Sequence, residues 1–216
     1  MKRALAVATV LIFCVAIPAA GTAQKPPKQP GHLSLSAGTN PVKFGASVTL
    51  SGKLTGPNKS GKAVTLSEDP FPHDAFAKVG TATVDAQGNY SFARSPTVNT
   101  RYQARQGGLE SEILTVTVRP RVSLRVGDRT PAAGKRVRFS GRICPQHDGT
   151  SLAIQRRKAP KQWRTVRSVV AAGASEGCST YSRRVRVRRD GVYRTLFSAD
   201  ADHAASRSRV RRIDVH

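Results

Sequence analysis

From residue 33 onward the chain places apolar residues at every second position in short runs. Leu33 and Leu35 open the pattern, followed by Val48 and Leu50, Val64 and Leu66, and Val79 to Val84. Tyr90 and Phe92, Tyr102 and Ala104, then Leu114, Val116 and Val118 continue it. Turn formers bound the runs, as in Gly38-Thr39-Asn40-Pro41, Gly56-Pro57-Asn58, Asp85-Ala86-Gln87-Gly88-Asn89 and Gln106-Gly107-Gly108. Alternation with period two sends one set of side chains to a core and the other to water. Short strands at this spacing predict an antiparallel β-sandwich. No stretch after the first 23 residues carries a helical period of 3.6.

The same order is then written a second time. Gly45-Ala46-Ser47-Val48-Thr49-Leu50-Ser51-Gly52 returns as Gly134-Lys135-Arg136-Val137-Arg138-Phe139-Ser140-Gly141. Val122 and Leu124 precede the second octet, and Leu152 and Ile154 follow Gly149 as Val64 and Leu66 follow Gly61. Trp163-Arg164-Thr165-Val166 answers Phe76-Ala77-Lys78-Val79, Tyr193 answers Tyr102, and Ile213 and Val215 close the second copy. Self-similarity at this period marks one supersecondary unit used twice. The expected architecture is all-β, two tandem sandwich domains over 32–119 and 120–216, joined at Arg119-Pro120-Arg121. A junction that short restricts relative motion of the two units.

The N-terminus reads differently. Lys2 and Arg3 precede an apolar run from Ala4 to Ile17, Pro18 breaks it, and Gly21-Thr22-Ala23 supplies small residues for cleavage. These are the parts of a signal peptide over 1–23, cut after about Ala23. The run is short for a membrane span, and Leu11-Ile12-Phe13 ahead of Cys14 lacks the small residue of a lipoprotein site. A Pro-rich linker over 24–31 follows, in which Lys25-Pro26-Pro27-Lys28-Gln29-Pro30 favours a stiff extended chain. The expected location is secreted or at the cell surface. Removal of Cys14 leaves Cys144 and Cys178, which in an oxidising compartment pair with each other.

Charge separates the two copies. Residues 24–119 hold 11 Lys+Arg against 6 Asp+Glu, a net of +5, whereas residues 120–216 hold 23 against 7, a net of +16. In the second copy the arginines fall at polar strand positions. Arg184, Arg186 and Arg188 interleave with Val185 and Val187, and Arg136 and Arg138 flank Val137. If these strands share a sheet, its outer face becomes a basic plate that attracts polyanions. A solvated strand face that resists edge-to-edge aggregation explains the same pattern without any ligand.

Several short strings resemble chemical motifs. Gly56-Pro57-Asn58-Lys59-Ser60-Gly61-Lys62-Ala63 lacks the hydroxyl residue and the following helix that a phosphate-binding loop requires. Gly173-Ala174-Ser175-Glu176-Gly177 has the spacing of a nucleophile elbow but no α/β scaffold to carry it. Asp200-Ala201-Asp202-His203 offers two carboxylates, too few for calcium, and reads as a polar turn before the last strand. Asp69-Pro70-Phe71-Pro72-His73-Asp74 reads as a loop, and two isolated cysteines lack zinc-ligand spacing. Trp163 lies among cations that would suit stacking on sugars or bases, but its match to Phe76 favours a packing role. Catalytic, cofactor and metal residues are therefore expected to be none.

The octet, Gly61-Lys62-Ala63-Val64-Thr65-Leu66 and Gly88-Asn89-Tyr90-Ser91-Phe92 resemble tandem bacterial immunoglobulin-like repeats. The second copy departs from that pattern where Cys178-Ser179-Thr180-Tyr181 replaces the glycine-aromatic turn. The resemblance implies an immunoglobulin-like fold, export, and a role as spacer or adhesive module, with no catalytic residues. Together these features lead to an expected non-enzymatic adhesive or cell-envelope-associated protein. Its candidate polyanion-binding residues are Arg136, Arg138, Arg184, Arg186 and Arg188, and its expected partners are anionic envelope polymers or another surface protein. A purely structural spacer is the alternative. Nucleic acid suits the charge but not the export.

Overall fold

A computed structural model describes residues 31–173 and 176–216, and among these there is no helix. The segment expected to be a signal peptide, its cleavage point after Ala23, and the Pro-rich linker up to Pro30 lie outside the described residues. The protein is all-β, and its strand ladders never cross Pro120.

In the N-terminal half one sheet runs Ser36–Ala37, Val48–Lys53, Asn89–Arg94. A second runs Ala77–Thr83, Ala63–Pro70, Thr100–Gln106, with Leu109–Glu110 and Leu114–Val116 on the far side of Thr100–Gln106. These ladders are antiparallel. One pairing departs from the antiparallel expectation: Val42–Lys43 runs parallel to Val118–Arg119. Alternation alone cannot distinguish the two directions, because both present side chains with period two.

The C-terminal half repeats this plan. One sheet pairs Arg121–Val122 and Arg125–Val126 with Arg136–Cys144, then Ser179–Arg186 and Ala172–Gly173. The other runs Gln162–Val170, Ser151–Ala159, Gly191–Phe197, with Ser206–Arg207 and Arg211–Ile213 beyond. In each half the two sheets face each other over a shared apolar interior, an arrangement compatible with a β-sandwich. Leu50 of one sheet and Leu66, Tyr102 and Val116 of the other are fully enclosed in the first half. Phe139, Leu152, Ile154 and Phe197 occupy the corresponding interior of the second.

The terminal glycine of each octet has a specific packing reason. Gly52 lies opposite Tyr90, and Gly141 opposite Tyr181. The Tyr90 hydroxyl donates to the Ser34 carbonyl across Gly52, and the Tyr181 hydroxyl donates to the Ser123 carbonyl across Gly141. A Cβ at either glycine would overlap both the carbonyl oxygen and the phenol ring. The octet's opening glycines, Gly45 and Gly134, have φ of 75° and 85°, a left-handed conformation that glycine adopts without strain.

Other details are also duplicated. Val79 and Val166 each sit at a register shift in the second sheet, half-buried against the core. The Ser111 hydroxyl accepts from Ala104 N–H in one half, and the Ser208 hydroxyl accepts from Thr195 N–H in the other.

Cys144 and Cys178 are joined in a disulfide with their Cα atoms 4.4 Å apart. The bridge fastens the end of Arg136–Cys144 to the start of Ser179–Arg186, strands already paired with each other.

Candidate functional site

The arginine plate expected on the outer face of the second copy forms between Arg136–Cys144 and Ser179–Arg186. Val137 and Val185 are opposite each other and buried, which turns their neighbours outward. Arg136 then stands directly across from Arg186, and Arg138 across from Arg184, all four exposed. Arg138 donates from Nε to the Ser182 hydroxyl at 3.0 Å. Among the described residues none of Arg136, Arg138, Arg184, Arg186 and Arg188 forms an ion pair with a carboxylate. Like charges directly opposite on a ladder repel, so this arrangement has an electrostatic cost that an anionic ligand would relieve.

A groove of about 690 Å³ gathers four of the five: Arg136, Arg184, Arg186 and Arg188. Arg138 lies outside it. The groove also takes in Arg167 and Arg183, which the alternation did not select. By parity Arg183 belongs to the inward set with Tyr181 and Val185, and it pairs with Phe139, yet it remains exposed. It lies on the flank where Gln162–Val170 of the facing sheet approaches, and that strand supplies Arg167 and Val166.

A second basic cavity, about 680 Å³, lies at the joint between the halves. Lys43 and Arg119 reach it from the first half, and Arg121, Arg207, Arg209 and Arg211 from the second. Its lining mixes these cations with Pro41, Pro120, Val122, Leu124 and Leu196. The joint is itself hydrogen-bonded. Asn99 N–H donates to the Asp202 carbonyl at 2.8 Å, Asn99 Nδ2 to the Ala201 carbonyl at 3.2 Å, and Ala204 N–H to the Val118 carbonyl at 2.8 Å.

Beside that joint His147, Asp200, Asp202 and His203 converge, with one ligand-type atom from each lying within 4.8 Å of the others. His147 follows the disulfide: its N–H donates to the Ser179 hydroxyl at 2.8 Å, next to Cys178. Asp200 and His203 form a tight turn, in which His203 N–H donates to Asp200 Oδ1 at 2.8 Å. Each histidine uses one ring nitrogen on a backbone carbonyl: His147 Nδ1 on Pro145 at 2.8 Å, and His203 Nε2 on Thr97 at 2.9 Å. A carbonyl only accepts, so these nitrogens carry the protons. His147 Nε2 then faces Asp200 at 3.7 Å and His203 Nδ1 faces Asp202 at 3.2 Å. Neither of these buried nitrogens has a hydrogen-bond partner.

The rings pack edge-on at 4.7 Å, with Phe197 against His147 at 4.9 Å. The imidazoles are 5% and 1% exposed, whereas the carboxylates, at 36% and 37%, open to solvent. Burial raises Asp200, and the neighbouring Asp202 carboxylate raises it further. Burial alone would raise Asp202 too, but its interactions with Asp200 and nearby His203 outweigh it and hold that carboxyl low.

Gly56-Pro57-Asn58-Lys59-Ser60-Gly61-Lys62 is a loop leading into the strand Ala63–Pro70. The elbow-like string straddles Ala174 and Ser175, which lie outside the described residues. Trp163 is half-buried with the Arg194 guanidinium 4.0 Å above its ring, a cation–π contact that occupies one face. Asp69 is buried beside Arg101 at 3.7 Å, and its backbone carbonyl is bonded by His73 Nδ1 at 2.9 Å. Phe71 stands exposed on that loop.

A scan against protein-family models and a search of curated proteins each gave no match to this chain.

Proposed function

We propose that the protein is an exported, non-enzymatic, cell-envelope-associated or adhesive module, built as two tandem immunoglobulin-like sandwiches. Residues 120–216 bind anionic polymers through their arginine-rich surface. The observation that carries this reading is the cross-strand register that sets Arg136 opposite Arg186 and Arg138 opposite Arg184, without carboxylate partners among the described residues. A chain can place serine or threonine at outward strand positions, so setting arginine opposite arginine points to an external anion. The neighbouring groove adds Arg167 and Arg183 at short range. Guanidinium forks suit phosphate and carboxylate oxygens because they donate two parallel hydrogen bonds. The immunoglobulin-like assignment is supported by the duplicated strand order and by the repeated glycine–tyrosine contact.

The test is binding of the full protein to a poly(glycerol phosphate) probe across a salt series. Affinity should fall at least about tenfold between about 50 and 500 mM salt, because exposed charges are screened over a Debye length. Neutralising Arg184, Arg186 and Arg188 to Gln should weaken low-salt binding by about tenfold without lowering Tm, since all three are exposed. Absence of low-salt binding, or binding indifferent to the triple variant, overturns the proposal and leaves the spacer reading. That second reading draws on the hydrogen-bonded joint, which would hold the two halves at a fixed spacing.

A further inference from the structure

The geometry points to a divalent transition-metal site of the zinc class, with His147 Nε2, His203 Nδ1, Asp200 and Asp202 as its ligands. The Pro145 and Thr97 carbonyls fix the protons on His147 Nδ1 and His203 Nε2. The opposite nitrogens therefore present lone pairs, and both are directed at carboxylate oxygens that also present lone pairs. Four acceptors around one point repel each other unless a cation stands between them. A proton on each ring is the other way to supply positive charge. Although His203 Nδ1 is 3.2 Å from Asp202, the pair does not have hydrogen-bond geometry, and His147 Nε2 is farther still at 3.7 Å.

The donor set suits zinc. Two neutral imidazoles and two carboxylates give four ligands and cancel the charge of a divalent ion, so the site is neutral in a strongly basic half of the chain. Zinc takes nitrogen and oxygen ligands at about 2.0–2.2 Å in a tetrahedron, which puts neighbouring ligand atoms roughly 3.3 Å apart. The widest ligand pair here, at most 4.8 Å apart, would need to contract by about 1.5 Å or less. The exposed carboxylates can move to make that closure, while the buried rings are already held. Calcium does not suit the site, because it requires six to eight oxygen ligands.

The supporting shell is also present. A ligating histidine commonly donates its other ring N–H to a carbonyl, which orients the ring and raises its basicity. Both histidines do so. The loop carrying His147 is held by the Cys144–Cys178 disulfide and by Ser179, and Phe197 excludes water from the ring face. The turn 200–204 that carries the other three ligands also hydrogen-bonds Asn99, Thr97 and Val118 across the joint. An ion bound here would therefore lock that turn, and with it the contact between the halves.

The experiment is titration of EDTA-stripped full-length protein with zinc chloride, with calcium chloride as the control. One zinc per chain is expected, with a rise in Tm that calcium does not reproduce. Cobalt(II) in place of zinc should give the intense visible absorption of a four-coordinate site, a readout that needs no variant. Asp200→Asn with Asp202→Asn removes two of the four repelling acceptors and keeps an amide oxygen for His203 N–H, so the metal-free Tm should not fall below wild type while zinc affinity falls at least about 100-fold. His147→Gln should likewise abolish the cobalt spectrum. Sub-stoichiometric zinc binding, a six-coordinate cobalt spectrum, or affinity unchanged in these variants overturns the assignment.

Discussion

Gly52 and Gly141 are the residues on which both halves turn. Each lets a tyrosine hydroxyl reach a backbone carbonyl on the adjoining segment, and neither leaves room for a methyl group. Gly141→Ala would have to displace the backbone at Ser123 or expel Tyr181 from the core. A backbone carbonyl cannot rotate aside as a flexible side chain can. The expected loss is about 3 kcal/mol or more, read from urea denaturation. Gly149→Ala is the contrasting control: no atom crowds its Cβ position, so only the strain of its positive φ is expected, on the order of 1 kcal/mol. Equal costs for the two substitutions would show that the glycine–tyrosine contact is not what the octet preserves. The sequence displayed these glycines plainly, but their reason was illegible, because Tyr90 and Ser34 lie far from Gly52 along the chain.

At the scale of elements, two strands of each half carry an inward tyrosine. Tyr90 and Tyr102 serve the first half and Tyr181 and Tyr193 the second. Burial pushes Tyr90, Tyr102 and Tyr181 up to about 12, and raises Tyr193 as well. A folded-state pKa above the unfolded value of about 10 means the stabilisation is complete below pH 10 and is lost as pH rises toward 12. Phenolate absorbance should therefore stay low through pH 10 and appear together with loss of β-structure at higher pH. A tyrosine that titrates reversibly near pH 10 with the fold intact would contradict this packing.

Strand positions were largely legible, since alternation is imposed by the pleat of each strand alone. The same rule did not select Arg183, whose parity points inward but whose place on an open flank leaves it in water. It could not foresee the parallel pairing of Val42–Lys43 with Val118–Arg119, because strand direction is a property of the pair. The pairing of Cys144 with Cys178 was legible from the cysteine count once export was expected, whereas its position beside His147 was not.

For the whole molecule, the short junction at Pro120 is reinforced by the Asn99 contacts. The Asn99 side chain bonds both ways, donating to the Ala201 carbonyl and accepting from Val118 N–H at 2.9 Å. Asn99→Ala removes both bonds and leaves Val118 N–H without that partner, at a cost of about 1–3 kcal/mol. Calorimetry of wild type should show one cooperative transition, and the variant should resolve two. Two resolved transitions in wild type would mean that the joint couples nothing.

Taken by itself, the sequence determined the β class, the recurrence of the glycine-bounded octet, the site of the cysteine pair and the uneven distribution of charge. Each follows from residue type and local period, which act within a few residues of chain. Only the tertiary structure decided that His147 meets Asp200, Asp202 and His203, that Arg167 joins Arg183, and that Lys43 and Arg207 line one cavity. Those meetings depend on how two sheets pack and how a loop crosses a joint. Such long-range geometry comes from burial of the shared core, and no local pattern encodes it.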